Sequence, residues 1–378
     1  MSEYQYYEFR AIDRRLTAAE MAALRSFSTR ARITPTSFVN DYQWGDFKGD
    51  EDAWIDKYFD AFLYFANWGT HVFKVALPTR LLEMKTADVY CGGESASVRK
   101  RNGKTILSFT SEEEPDEWED EADTLAALMP IRAQLERGDL RSLYIGWLLC
   151  AQTGELDDDE VEPPVPPGLG DLDGALDSLV DFLRVDIDLI EVAAAASPPM
   201  SARTLTADGV KRWIAGRPQA EKDDYLARFI ASEEPALPAE LQRLIGNRQD
   251  AAASSGSPRT VGALLRAAEE TRDKRQRAEA ARAEIEKKRR EREAALARSK
   301  HLEALAAREP AAWSEIDALI ATKLPASYDR AVVLLIDLRD VATAKDRESD
   351  FLRRLDTLRT AHARKPSLIS KLERAGLH

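Results

Sequence analysis

The sequence predicts an α+β protein: an N-terminal mixed sheet-and-helix domain, then an all-helical region with a long polar helix and a small C-terminal helical bundle. Three observations predict it. Of the 29 Phe, Tyr and Trp residues, 17 lie between Tyr4 and Phe73, and dense aromatics beside β-branched residues favour a strand-bearing core. Asn102-Gly103 stands between two strand-like runs, supplying the positive φ angles a two-residue hairpin needs. From Thr260 to Arg308 there is no proline and only Gly262, amid Ala, Glu, Lys and Arg, the strong helix formers.

The elements follow in chain order. "YQYYEFRAI" reads as a first strand. "TAAEMAALRSF" reads as a helix opened by a capping box, with Thr17 as N-cap and Glu20 three residues on. "ITPTSFVNDYQW" and "AFLYFANWGTHVFKVAL" read as further strands, and "ASVRKRNGKTILSF" as the hairpin. The acidic run "SEEEPDEWEDEAD" then separates the sheet from a helix, "LRSLYIGWLLC". This helix carries Leu140, Leu143, Tyr144, Trp147 and Leu148 on one apolar face. The first domain is expected over 1–154.

Residues 155–171, "ELDDDEVEPPVPPGLGD", read as an acidic, proline-stiffened linker, because like charges repel and prolines extend the chain. A helical domain is expected over 172–248, with Leu172, Leu176, Leu179 and Leu183 aligned at its start, and "AAASSGSP" as a flexible break after it. The long charged helix is expected over 260–308. Acid-first pairs such as Glu284 with Lys288 and Glu286 with Arg290 support it at i, i+4. Its apolar seam is poor: Ala278, Ala281 and Ile285 begin a heptad that Lys288 and Arg292 interrupt. A homo-oligomer through 260–308 is one expectation, a solvated or partner-laid helix the other. Residues 309–378 complete the chain as a helical bundle.

Composition narrows the function. The chain has 378 residues and a formal charge of −12, so it carries no general attraction to nucleic acid or anionic lipid. It has no apolar run long enough for a membrane span, and its start lacks a signal-peptide core. With two cysteines, Cys91 and Cys150, a reduced cytoplasm is the expected location.

Templates for chemistry fail one by one. "NGKT" resembles the end of a P-loop, but Val98 stands where that motif needs glycine and a strand follows. The four histidines, His71, His301, His362 and His378, are isolated, so no metal or cofactor is expected. An acid-only cation site could draw on Asp41, Asp46, Asp50 and Asp52, though the EF-hand spacing is not met. No G-x-S-x-G elbow occurs.

Two Trp-Gly corners stand out, "NDYQWGDFKGD" at 40–50 and "FANWGTH" at 65–71. If they meet in space, His71, Asp41, Asp46 and Asn67 are the catalytic candidates. If they form a surface, Trp44, Trp54, Trp68 and Tyr42 are the partner-binding candidates, since indoles and phenols make good binding anchors. The plainest reading has them bracing the fold. Nucleic acid would be met by Lys287, Lys288, Arg289 and Arg290 with Arg364 and Lys365; from Glu269 to Lys300 there are 12 Lys or Arg against 8 Asp or Glu.

"YQYYEFRAIDR", "ITPTSFVNDYQWGDFKGD", "YFDAFLYFANWGTH" and "GDLRSLYIGWL" resemble an uncharacterised family of bacterial conserved hypothetical proteins over about residues 4–200. The tail from "YDRAVVLLIDLRD" onward is similar to the helical region closing some SWIM zinc-finger proteins, without the Cys-x-Cys and Cys-x-His motif. The resemblance implies membership in a bacterial multi-protein system and carries over no zinc. The leading expectation is a non-catalytic interaction or scaffold subunit with a protein partner. A nucleic-acid-associated subunit and an enzyme at the corners are the alternatives.

Overall fold

The computed structural model describes residues 4–113, 123–200, 207–231 and 258–378, together with positions 237, 241 and 245. The chain divides into two compact units, Met1–Lys274 and Arg275–His378. The acidic run beyond Glu113, the end of the expected 172–248 domain and most of "AAASSGSP" lie outside the described residues.

The first unit is built on a seven-stranded antiparallel sheet in the order β2-β3-β1-β4-β5-β7-β6. The strands are β1 (Gln5–Arg10), β2 (Arg32–Thr34), β3 (Ser37–Tyr42), β4 (Ala61–Ala66), β5 (Thr70–Pro78), β6 (Ala96–Arg101) and β7 (Lys104–Glu112). Between β1 and β2 runs α1 (Ala18–Arg25), and its capping box is complete: Thr17 accepts from the Glu20 amide and Glu20 from the Thr17 amide. Asp50 caps α2 (Glu51–Lys57) by accepting from Ala53. Asn102 and Gly103 turn β6 into β7 at φ 49 and 74.

Side-chain alternation gives the sheet two covered faces. Tyr7, Phe9, Phe38, Phe62, Val72, Ala76 and Ile106 pack with Leu24, Trp54, Ile55 and Phe59 under α1 and α2. Tyr6, Leu63, Phe65, Phe73, Val75, Leu107 and Phe109 face the helical layer. That layer comprises α3 (Met84–Asp88), α4 (Thr124–Leu128), α5 (Pro130–Glu136), α6 (Arg141–Gln152), α7 (Gly174–Leu183) and α8 (Ile187–Ala194). Two further helices follow, α9 (Ala207–Ala215) and α10 (Gln219–Ala231).

The structure corrects the expected linker. Residues 155–171 do not hang between two domains; Leu156 and Leu169 are buried in the same core as the sheet and α6–α8. Arg141 explains part of this, donating to the carbonyls of Gly168 and Asp171 at 3.2 Å while held by Asp139 and Asp173. Glu162 explains the rest: it accepts from the Tyr144 hydroxyl and from Arg259 at 2.8 and 2.5 Å. The α6 expectation is corrected too. Residues 141–151 are buried all round, because the chain from 155 to 194 covers the face that sequence periodicity left open.

The helix α11 (Val261–Ala307) spans 47 residues, roughly 70 Å at the standard rise. It begins in the first unit, with Val261, Leu264 and Ala268 buried, and continues into the second. The second unit is all-helical, with α12 (Glu309–Ala321), α13 (Pro325–Ala344), α14 (Glu348–Ala361) and α15 (Pro366–Arg374). Leu305, Trp313, Ile316, Leu335, Leu338, Phe351, Leu355 and Leu368 form its core. No helix among the described residues is long and apolar enough to cross a membrane.

Candidate functional site

The sheet register decides where the two Trp-Gly corners go. Gln5 pairs with Tyr42 on one side and Ala66 on the other. The exit of β3 and the β4–β5 hairpin therefore flank the start of β1, about 10 Å apart across two strand spacings. Gly45 and Gly69 turn at φ 80 and 105, conformations that favour glycine. The Asn67 side chain accepts from the Tyr4 amide at 2.9 Å, and its own amide donates to the Tyr4 carbonyl at 3.0 Å. Asn67 is thus a backbone clamp.

The 40s loop is anchored by a polar cluster on the face beneath α2. Gln5 Nε2 donates to the Gly45 carbonyl and Asp46 Oδ1, both at 3.3 Å. Its Oε1 accepts from the hydroxyls of Tyr7 at 2.8 Å and Tyr64 at 3.2 Å. Phe47 stacks on Tyr7 with ring centres 4.8 Å apart. Nearby, the buried Lys74 ammonium donates to Glu51 and Asp52, each at 2.7 Å, and lies over the Phe62 ring. Burial raises the Tyr64 phenol to about 12 and the Tyr7 phenol further, the latter helped by Tyr64 and nearby acids. Both phenols stay protonated and act as donors.

The catalytic candidates do not converge. His71 is 2% exposed and points into the helical layer, where its ring meets Phe182 edge-on at 5.0 Å. Its Nδ1 lies 2.9 Å from the Gly69 carbonyl, so that nitrogen carries the proton, and Nε2 faces Arg184 at 3.3 Å. Asp46 is on the opposite face with Gln5, and Asp41 is exposed beyond β1. The register, invisible in the sequence, puts Asp41 in the row of His71 but three strands away, and Asp46 with Gln5 on the other face. Among the described residues no group of three or more His, Cys, Asp or Glu is placed to hold a metal. Asp50 and Asp52 are engaged as a helix cap and an ion pair. Burial pushes the thiols of Cys91 and Cys150 up to about 12, which leaves them un-ionised.

The partner-binding candidates divide. Trp54 is 4% exposed and packs against Phe9, Phe38 and Phe47, which makes it core. Tyr42 is half-buried with its edge against Tyr7. Trp44 is 70% exposed and carries the Arg30 guanidinium 5.0 Å from its ring centre; Trp68 is 44% exposed. One end of the sheet therefore presents two indoles.

The basic candidates divide similarly. Lys288, Arg289 and Arg290 pair with Glu284 and Glu286 along the helix, while Lys287 and Arg364 are exposed. Lys365 donates to the Ile320 carbonyl at 3.1 Å. Charge is uneven between the units. The first holds 31 Lys and Arg against 49 Asp and Glu, a net of −18; the second holds 23 against 17, a net of +6.

Sequence reasoning missed Gln5, Tyr7, Tyr64, Glu51 and Lys74. The available signal was a set of polar or phenolic side chains at alternate positions of otherwise apolar strands. Comparison with protein-family models, curated proteins and solved structures finds no match to this chain.

Proposed function

We infer that this protein is a non-catalytic interaction subunit, and that the sheet end carrying Trp44 and Trp68 is where its first unit meets a protein partner. The observation that carries this reading is the contrast at the corners. His71, Asn67 and Asp46 are each spent on bonds within the fold, whereas Trp44 keeps 70% of its surface open under a stacked arginine. Trp, Tyr and Arg are the residues that most often dominate binding energy when buried against a partner. Membership in a bacterial multi-protein system, which the resemblance implies, is consistent with such a role.

The test is purification of the tagged full chain from its native host, wild type beside Trp44→Ala and Arg30→Glu. A protein that elutes at fixed stoichiometry with wild type and at least tenfold less with either variant supports the reading. Equal recovery with all three forms, or none with wild type, rejects this surface.

A second reading rests on the net +6 of the second unit: phosphate contact by nucleic acid through that unit. It requires affinity that falls steeply with salt. The ion pairs of Lys288, Arg289 and Arg290 weigh against the α11 segment as its site, so Arg364→Glu, in the other basic segment, is the variant that tests it.

A further inference from the structure

Strand β6 forms one edge of the sheet; the opposite edge strand, β2, is only three residues long. The Asn102-Gly103 turn fixes which backbone groups of β6 point outward. Arg101 stands opposite Lys104, and antiparallel pairs alternate between bonded and open positions. The Thr110 amide donates to the Ser95 carbonyl, which sets the odd-numbered residues of β6 inward. Ala96, Val98 and Lys100 therefore direct their N–H and C=O groups away from β7. Ala96 is fully buried beside Gly146 of α6, which takes it out of the open edge. Among the described residues nothing bonds to the backbone N–H or C=O of Val98 or Lys100.

The strand and its turn carry cations only, of which Lys104 is taken up by Asp60 at 2.6 Å. Residues 96–104 contain Arg99, Lys100, Arg101 and Lys104 and no acid, within a unit of net −18. Arg99 is occupied by Asp56 at 2.6 Å, and Arg101 reaches the same carboxylate only at 3.6 Å with two thirds of its side chain exposed. Lys100 is exposed, and its ammonium has no partner among the described residues.

We propose that the outer edge of β6 takes up an extended acidic peptide as an added strand. Backbone groups of Val98 and Lys100 would supply the ladder bonds, and Lys100 and Arg101 would select for carboxylates. A second copy of the chain fits less well, because antiparallel pairing of two β6 edges brings like cations together. This surface is separate from the indole-bearing end of the sheet and stands whether or not that end binds a partner.

The probe is a pool of labelled eight-residue peptides alternating Glu or Asp with Val, Ile or Thr, titrated into the full-length protein at low salt. Binding is followed by anisotropy, and the contacted amides by hydrogen exchange. Wild type should bind the pool and gain protection at Val98 and Lys100. Val98→Pro, tolerated on an edge whose amide faces outward, should abolish binding. Lys100→Glu should weaken it about tenfold, and a lysine-for-acid pool should not bind. No binding at millimolar peptide, or binding that Val98→Pro leaves intact, overturns the proposal. A concentration-dependent dimer lost in Val98→Pro would replace the peptide with a second copy and overturn it equally.

Discussion

Helices α6 and α11 make opposite uses of the same backbone geometry. Every residue from Arg141 to Ala151 of α6 is buried, whereas between Arg272 and Ala297 of α11 only Glu286 is even half-buried. Helix α6 exists because a sheet on one side and α7, α8 and residues 155–171 on the other exclude water from it. The middle of α11 rests on intrinsic propensity and on ion pairs along its own surface, such as Lys288 with Glu284 and Arg290 with Glu286. Tertiary packing makes a helix costly to disturb; propensity alone leaves it tolerant.

The sharpest break of this comparison is a cavity. Leu148→Ala removes a fully buried side chain and should destabilise the first unit by about 2–5 kcal/mol in urea unfolding. A loss under 1 kcal/mol would mean α6 is not held as described. Next comes the clasp over α6. Arg259→Ala leaves the nearly buried Glu162 carboxylate beside Tyr144 without its cation, and should cost about 3 kcal/mol. If residues 155–171 were a true spacer, that substitution would be silent. In α11, by contrast, Ala280→Gly should cost only about 1 kcal/mol, seen as faster amide exchange near the site. Ile285→Glu, at a position 69% exposed, should move stability by no more than about 0.5 kcal/mol.

Acid sharpens the same contrast. Burial alone would raise the Asp173 carboxyl, but hydrogen bonds from Gln134 and the amides of Leu176 and Ala175, with the charge of Arg141, hold it below the usual carboxylate range. A depressed pKa in the folded state contributes stability that is whole above the unfolded pKa and lost as pH falls through the folded one. Asp173→Asn should therefore flatten the acid limb of the first unit's stability while changing the value at pH 7 in the destabilising direction. An unchanged acid limb would contradict the assignment.

What the sequence made legible was local. Thr17 with Glu20, Asn102 with Gly103 and the proline-free run of α11 each specify structure within a few residues, and each is present as read. What it hid was carried by distant partners. Residues 155–171 look like a spacer because Arg141 and Arg259, which fasten them, lie outside the segment. The same holds for the candidate site. Gln5 looks unremarkable until register places it between Tyr42 and Ala66, and His71 looks like a neighbour of Asp46 until strand alternation sends them to opposite faces. Exposure of Trp44 and burial of Trp54, ten residues apart, follow from side-chain packing that composition does not encode.

Hydroxyl-radical footprinting of the tryptophans, in intact native cells and on the purified chain, tests the interaction surface most directly. Trp54 serves as the buried reference in both. Trp44 and Trp68 should oxidise readily in the purified protein and be protected severalfold in cells, where the partner covers them. Equal oxidation of Trp44 in the two settings would contradict it.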